Sequence, residues 1–363
     1  MGSRYRRSAI LSALPESLSQ TWPPFVLVVG LLLIGVAAAD DGLFEALGSR
    51  IARAPGSQLG VFSMMMGLVA AVTVVLNLDT SVVFLTPILL HVARRRGMNE
   101  IAYLYGAVFM ANAASLLLPG SNLTNLLVLA ARHARGTSFA ATMFAPWVAA
   151  VLVTWGVLAW WRRADWSHGA SSDEPVTPLR LGVGALGVAA AVALMLAVTN
   201  PAPAVAIVGV LASGSHVVRR RFSVRQALDA LSPLTIGGLF VVALVLGTIA
   251  RTWSGPARLL GAVGPWGAAG LGAALSNVVN NLPAAVILSA RAPAHPYSLL
   301  LGLNIGPNLS VVGALSAVLW LRIARREEAD PSVATYSRVG VILVLLTLAG
   351  ALGALALVTP GAF

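Results

Sequence analysis

The chain has 363 residues, 58% of them hydrophobic and only 10% charged, with a mean hydropathy of +0.84. So few charges cannot cover the surface of a water-soluble domain, which excludes a soluble globular protein and places the chain in a bilayer. Its net charge of +11 comes from 24 arginines and no lysine, gathered in short connections between apolar runs. That placement sets topology and excludes a phosphate-binding face, so nucleic acid is not an expected partner.

Residues 1–24, MGSRYRRSAILSALPESLSQTWPP, have a short, proline-broken apolar run and no cleavage pattern. They are read as a segment lying on the membrane rather than a signal peptide. An apolar span follows at about 25–39, then a polar, interfacial stretch, DDGLFEALGSRIARAPG. Next come an apolar arm at 59–76, a break NLDTS at 77–81, and a second arm ending in HVARRRG. The segment 101–118 runs into a second break at 119–125, and a span at about 141–161 closes a first repeat, 25–161. A linker, 162–231, carries two spans near 180–199 and 204–218. From 232 to 363 the same order recurs, with a hairpin tip at 276–283, a break at 304–310 and a final span at about 339–358.

If each arm–break–arm is a re-entrant hairpin returning to its own side, five crossings precede the second repeat. The two repeats are then inverted. The positive-inside rule puts the loops with Arg94, Arg95, Arg96, Arg162, Arg163, Arg219, Arg220, Arg221, Arg325 and Arg326 in the cytoplasm. Arg4, Arg6 and Arg7 fall on the outer side against that trend.

In hydrocarbon each unpaired backbone group costs several kcal/mol, so broken helices persist only inside protein or along a wet cavity. Four breaks in an inverted repeat point to a midplane site of the secondary-transporter kind. Asp79 is the one acidic residue placed deep in the membrane, where a carboxylate is protonatable or a cation ligand. The plainer reading, compatible with the first, is that Asp79 or Thr80 caps the second arm. The clusters Ser121, Asn122, Thr124 and Asn125; Ser276, Asn277, Asn280 and Asn281; and Asn304, Asn308 and Ser310 supply hydrogen bonds for a polar solute. A single membrane asparagine is as readily interhelical glue. His91 reads as interfacial, and His133, His168, His216 and His295 as loop residues without metal-ligand spacing. The tryptophans read mostly as interface anchors. No Ser–His–Asp or paired-carboxylate set is present, and with no cysteine there is no thiol chemistry, so neither an enzyme nor a cofactor or metal site is expected.

The stretches LNLDTSVVFLTPILLHVARRRG, GAVFMANAASLLLPGSNLTNLLVL, SNVVNNLPAAVI and NIGPNLSVVGALSAVLWLR resemble the signatures of ArsB-type arsenite/antimonite efflux permeases. These belong to the ion transporter superfamily, with Na⁺/dicarboxylate symporters and NhaD-type Na⁺/H⁺ antiporters. The resemblance covers about residues 25–325. Here Leu78 separates the Asn and Asp that are adjacent in many relatives, and the segment order leads us to expect one or more N-terminal spans fewer than is usual in the family. The resemblance implies an all-α, polytopic, inverted-repeat transporter with two re-entrant hairpins and broken helices. It also implies an elevator-like movement, a homodimer, a soluble ATPase subunit as partner and a bacterial plasma membrane location. Matched by motif, Asn77, Asp79, Thr80, Ser121, Asn122, Thr124, Asn125, Asn277, Asn280, Asn281, Asn304 and Asn308 fall at the site, Ser276 beside them.

The expected function is secondary active transport: proton-coupled export of arsenite or antimonite as a neutral hydroxide, with Asp79 exchanging the proton. The alternatives are a Na⁺/H⁺ antiporter, a Na⁺-coupled anion or dicarboxylate transporter and, more remotely, a non-transporting receptor or scaffold.

Overall fold

Runs of 15 to 26 apolar residues without charge have only one way to satisfy their backbone in lipid, and the chain is accordingly helical. The computed structural model describes residues 2–130, 135–166, 177–178, 181–219, 225, 228 and 232–360, with side chains from residue 12 onward. His133, His168, Arg220 and Arg221 lie outside the described residues.

The first half comprises α1 (Gly2–Asp40), α2 (Leu43–Arg53), α3 (Gln58–Val75), α4 (Leu78–Arg95), α5 (Glu100–Ala114), α6 (Leu123–Leu129) and α7 (Gly136–Trp161). Two shorter helices, α8 (Val183–Ala197) and α9 (Ala202–Val218), follow. The second half comprises α10 (Pro233–Thr252), α11 (Gly255–Ala262), α12 (Pro265–Val279), α13 (Asn281–Ser289), α14 (Pro296–Ile305), α15 (Leu315–Arg326) and α16 (Val333–Val358). Each half reads span, short helix, arm, arm, helix, break, helix, span. Among the described residues, five helices, including α7 and α16 at 26 residues each, are long and apolar enough to cross a bilayer.

The N-terminal stretch does not lie apart on the surface. It continues into the first span as one helix despite Pro15, Pro23 and Pro24. Ser17 and Thr21 are buried there, and their hydroxyls donate to the carbonyls of Ala13 and Ser17 one turn back. Burial of this face against the rest of the protein outweighs the lost proline hydrogen bonds.

α1 lies along α9 at backbone contact: a Cβ on Gly30 would fall 2.8 Å from the Ala206 backbone, so only glycine fits. Near the ends of these helices His216 is buried at 1% exposure, its Nδ1 2.6 Å from Asp40 and its Nε2 3.5 Å from Asp41. Asp41 also accepts the Gly184 N–H at the start of α8. His216 is therefore a helix-end clasp rather than a loop residue. Arg96 likewise differs from its arginine neighbours: it is buried, and Nη1 donates to the carbonyls of Ala52 and Ala54 at the end of α2. Trp320 is no interface anchor, being fully buried with its Nε1 donating to the Leu104 carbonyl at 2.7 Å.

Candidate functional site

The first break is made by Asn77, in extended backbone (φ 170°, ψ 173°) between α3 and α4. Its Oδ1 accepts the Thr80 N–H at 2.7 Å, so Asn77 is the N-cap of α4. The capping role therefore falls to neither Asp79 nor Thr80. Asp79 stands in the first turn, where the helix dipole favours negative charge, and its carboxyl makes no hydrogen bond or ion pair to a described residue. Asn77 Nδ2 and Thr80 Oγ1 are buried without a partner among the described residues. The Thr80 side chain faces Gly35 of α1.

The second tip is narrower than the sequence suggests. α12 runs to Val279 and α13 starts at Asn281, so the break is Asn280 alone, with Ser276 and Asn277 still helical. Asn280 has φ 77° and ψ 151°, a region that glycine occupies freely and other residues only under strain. Its Nδ2 donates to the Val312 carbonyl at 3.0 Å, and its Oδ1 caps the Leu282 N–H. Alanine and glycine substitutions both remove these bonds, but only alanine keeps the strain. Asn280→Ala is expected to be less stable than Asn280→Gly by about 1 kcal/mol or more, measured by SDS or thermal unfolding.

Beyond the tips lie the two unwound helices. The short 3₁₀ turn Pro119–Ser121 separates α5 from α6, and the turns Gly306–Leu309 and Val311–Gly313 separate α14 from α15. Asn304 joins the halves: its Oδ1 accepts from Asn122 Nδ2 at 2.8 Å and from the Thr124 hydroxyl, and its Nδ2 donates to Asn125 Oδ1 at 2.6 Å. Asn125 then donates to the Ser115 and Leu118 carbonyls, and Ser121 Oγ lies within reach of the same pair. Asn308 Oδ1 accepts from Asn112 at 2.7 Å. Asn277 donates to the Ala273 and Gly306 carbonyls and accepts from Ser310. Ser276 donates to Ala273. Ser121, Asn125, Asn277, Asn304 and Asn308 thus spend their capacity bracing the unwound segments, and Ser276 bonds within its own helix, as buried polar groups in an apolar medium must.

A cavity of about 530 Å³ opens where both tips and the first unwound helix meet. Of the residues singled out from the sequence, Asp79, Asn122, Thr124, Asn280 and Asn281 line it. Asn281, like Asp79, makes no side-chain hydrogen bond to a described residue. The lining residues not placed at the site from the sequence include Ser316, whose hydroxyl is buried without a partner among the described residues, and Arg322 and Arg326. They share one face of α15 with Leu315, Leu319 and Ile323, a spacing of three and four that the sequence does carry. Asp79, Arg322 and Arg326 are the charged residues of the lining.

Buried helix breaks joined across two halves around a largely apolar cavity with a few convergent polar groups define a polytopic helical membrane transporter of the secondary type. A family profile for citrate transporters matches residues 9–310, and the chain belongs to that family. It is similar to an arsenical pump membrane protein of Yersinia enterocolitica, 26% identical over 93% of this chain and 86% of the relative. It is also similar to one from Escherichia coli K12, 25% identical over the same shares. An uncharacterized transporter of Mycobacterium tuberculosis is 26% identical over 90% of this chain and 84% of its own. Among solved structures, the YdaH transporter of Alcanivorax borkumensis superposes with a TM-score of 0.57 at 15% identity, over 99% of this chain and 89% of the other. That likeness shows the fold.

Proposed function

We propose that this transporter exchanges protons for a small uncharged polar solute, arsenite or antimonite as the hydroxide, in the direction of export. The observation that carries the reading is Asp79. It lines the cavity beside both tips and makes no hydrogen bond or ion pair to a described residue, so its proton is free to leave and return. Asn281 and Ser316 offer neutral hydrogen-bonding groups to a hydroxide solute that no thiolate in this chain can hold. The arsenical pump relatives support the choice of solute.

Loading from the cytoplasm follows from charge. Arg326 and Ser232, the residue before α10, both line the cavity, so it opens toward the arginine-rich connections that the positive-inside rule assigns to the cytoplasm. An elevator movement of the tips would then carry the solute across. In inverted vesicles, As(III) uptake is expected to follow an imposed pH gradient and to be indifferent to Na⁺. Uptake driven by Na⁺ would favour the symporter or Na⁺/H⁺ antiporter instead. A second reading, a carboxylate carrier, is favoured by the two lining arginines. It predicts succinate or citrate uptake in the same preparation, with no As(III) uptake.

A further inference from the structure

The lining face of α15 runs from Leu315 and Ser316, beside the break, through Leu319, Arg322 and Ile323 to Arg326. At 1.5 Å per residue it extends about 16 Å, three turns of one wall leading from the tip site outward. Its opposite face, Ala317, Trp320 and Ala324, is buried in the protein. Arg322 and Arg326 sit one turn apart at the outer end of this wall. Both are exposed, and neither makes an ion pair or hydrogen bond to a described residue. Arginines that only set topology need no common face and no cavity. Arg325, in the same turn, is outside the lining.

The charge of the cavity decides what can enter it. Asp79 contributes one negative charge when ionised and none when protonated, whereas the two guanidinium groups stay charged throughout. The lining is therefore net positive in both states of Asp79. A cleft lined by one sign of charge concentrates counter-ions by about 10- to 1000-fold, and the arginine-bearing outer end of this wall, which carries no acidic lining residue, attracts anions and repels cations in the same sense.

We propose that Arg322 and Arg326 form a charge filter on the path to the hairpin tips: they admit neutral or anionic solutes and hold Na⁺ out. The proton is then the one cation that loads Asp79, since it arrives through water and hydrogen bonds rather than as a hydrated metal ion. This rests on the reading of Asp79 as the coupling carboxyl, and it deepens that reading by fixing the coupling ion.

The test uses the full chain, purified and reconstituted, as wild type, Arg322→Gln/Arg326→Gln, Arg322→Lys/Arg326→Lys and Arg325→Gln. One readout needs no transport: thermal unfolding followed by tryptophan fluorescence at low ionic strength, with citrate as anion probe and Na⁺ as cation probe, each balanced by an inert counter-ion. Wild type, the double Lys variant and Arg325→Gln are expected to be stabilised by citrate and unmoved by Na⁺. In the double Gln variant the citrate concentration for half effect rises about tenfold or more, and Na⁺ begins to stabilise. The second readout is As(III) uptake, where the double Gln variant should accept a Na⁺ gradient as driving force and wild type should not.

Three results would overturn the filter. These are Arg325→Gln matching the double Gln variant, wild type failing to respond to citrate, or the double Gln variant keeping wild-type responses to both ions. If wild type carries no As(III) under any gradient, the transport reading falls, and the citrate and Na⁺ arms still decide the filter.

Discussion

Asp79→Asn is expected to abolish proton-driven accumulation of As(III) while leaving the protein folded and able to exchange solute passively. The Asn77 cap of α4 does not involve the Asp79 side chain, and that carboxyl makes no hydrogen bond to a described residue, so the substitution breaks no hydrogen bond among the described residues. What is lost is titration. One pH unit is worth 1.36 kcal/mol per proton, so exchange of one proton per neutral solute supports about a tenfold concentration ratio per unit of gradient. In vesicles with a gradient of one unit, wild type should approach that ratio and the variant should stay at unity. Solute counterflow without a gradient should persist in both. Accumulation in the variant equal to wild type would remove Asp79 from the coupling role, and loss of counterflow as well would point to a binding role instead.

Asn304→Ala should have the largest effect on stability. Its amide is the acceptor for Asn122 and Thr124 and the donor to Asn125, all fully or nearly fully buried. Removing it strands three polar groups in an apolar interior, where each unsatisfied group costs about 1–3 kcal/mol. A loss of about 3 kcal/mol or more is expected in SDS or thermal unfolding. Asn122→Ala should cost less, because Thr124 and Asn125 keep their bonds to Asn304. A double-mutant cycle between Asn122 and Asn304 should show coupling, since the two share one bond. Equal stability of Asn304→Ala and wild type would mean that the halves are held together elsewhere.

Both residues could be found from sequence, because a polar cluster inside an apolar run is a strong local signal. The breaks at Asn77, Pro119, Asn280 and Gly306 fall within the stretches that NLDTS, LPGSNLTN, SNVVNNLP and NIGPNLS mark. Local signal does not fix which residue breaks the helix. Three asparagines compete in SNVVNN, and the long-range bond that distinguishes Asn280, to the Val312 carbonyl, is made only in the folded chain. Nor does it say which amides face the cavity and which brace backbone, since that depends on partners about 180 residues away.

The arginines misled for a related reason. Arg326, within RREE, reads as a loop residue, yet α15 continues through it, and Arg322 lies one turn earlier on the same lining face. His216 reads as a loop residue beside Arg219, and only the fold brings Asp40 and Asp41 to it. In residues 12–24 the prolines read as a break in the apolar run, and the buried face of the helix overrides them.

Gln20 sits where α1 meets the tips' supporting helices. Its Nε2 donates to the carbonyls of Leu127, in α6, and Ser289, at the end of α13, while its Oε1 accepts from Arg251 of α10 at 2.6 Å. One side chain thus rivets four helices at a single seam. In the proposed elevator movement, sliding of the second hairpin past the first helix would shear these contacts together, and the clasp would then act as a detent on the present posture.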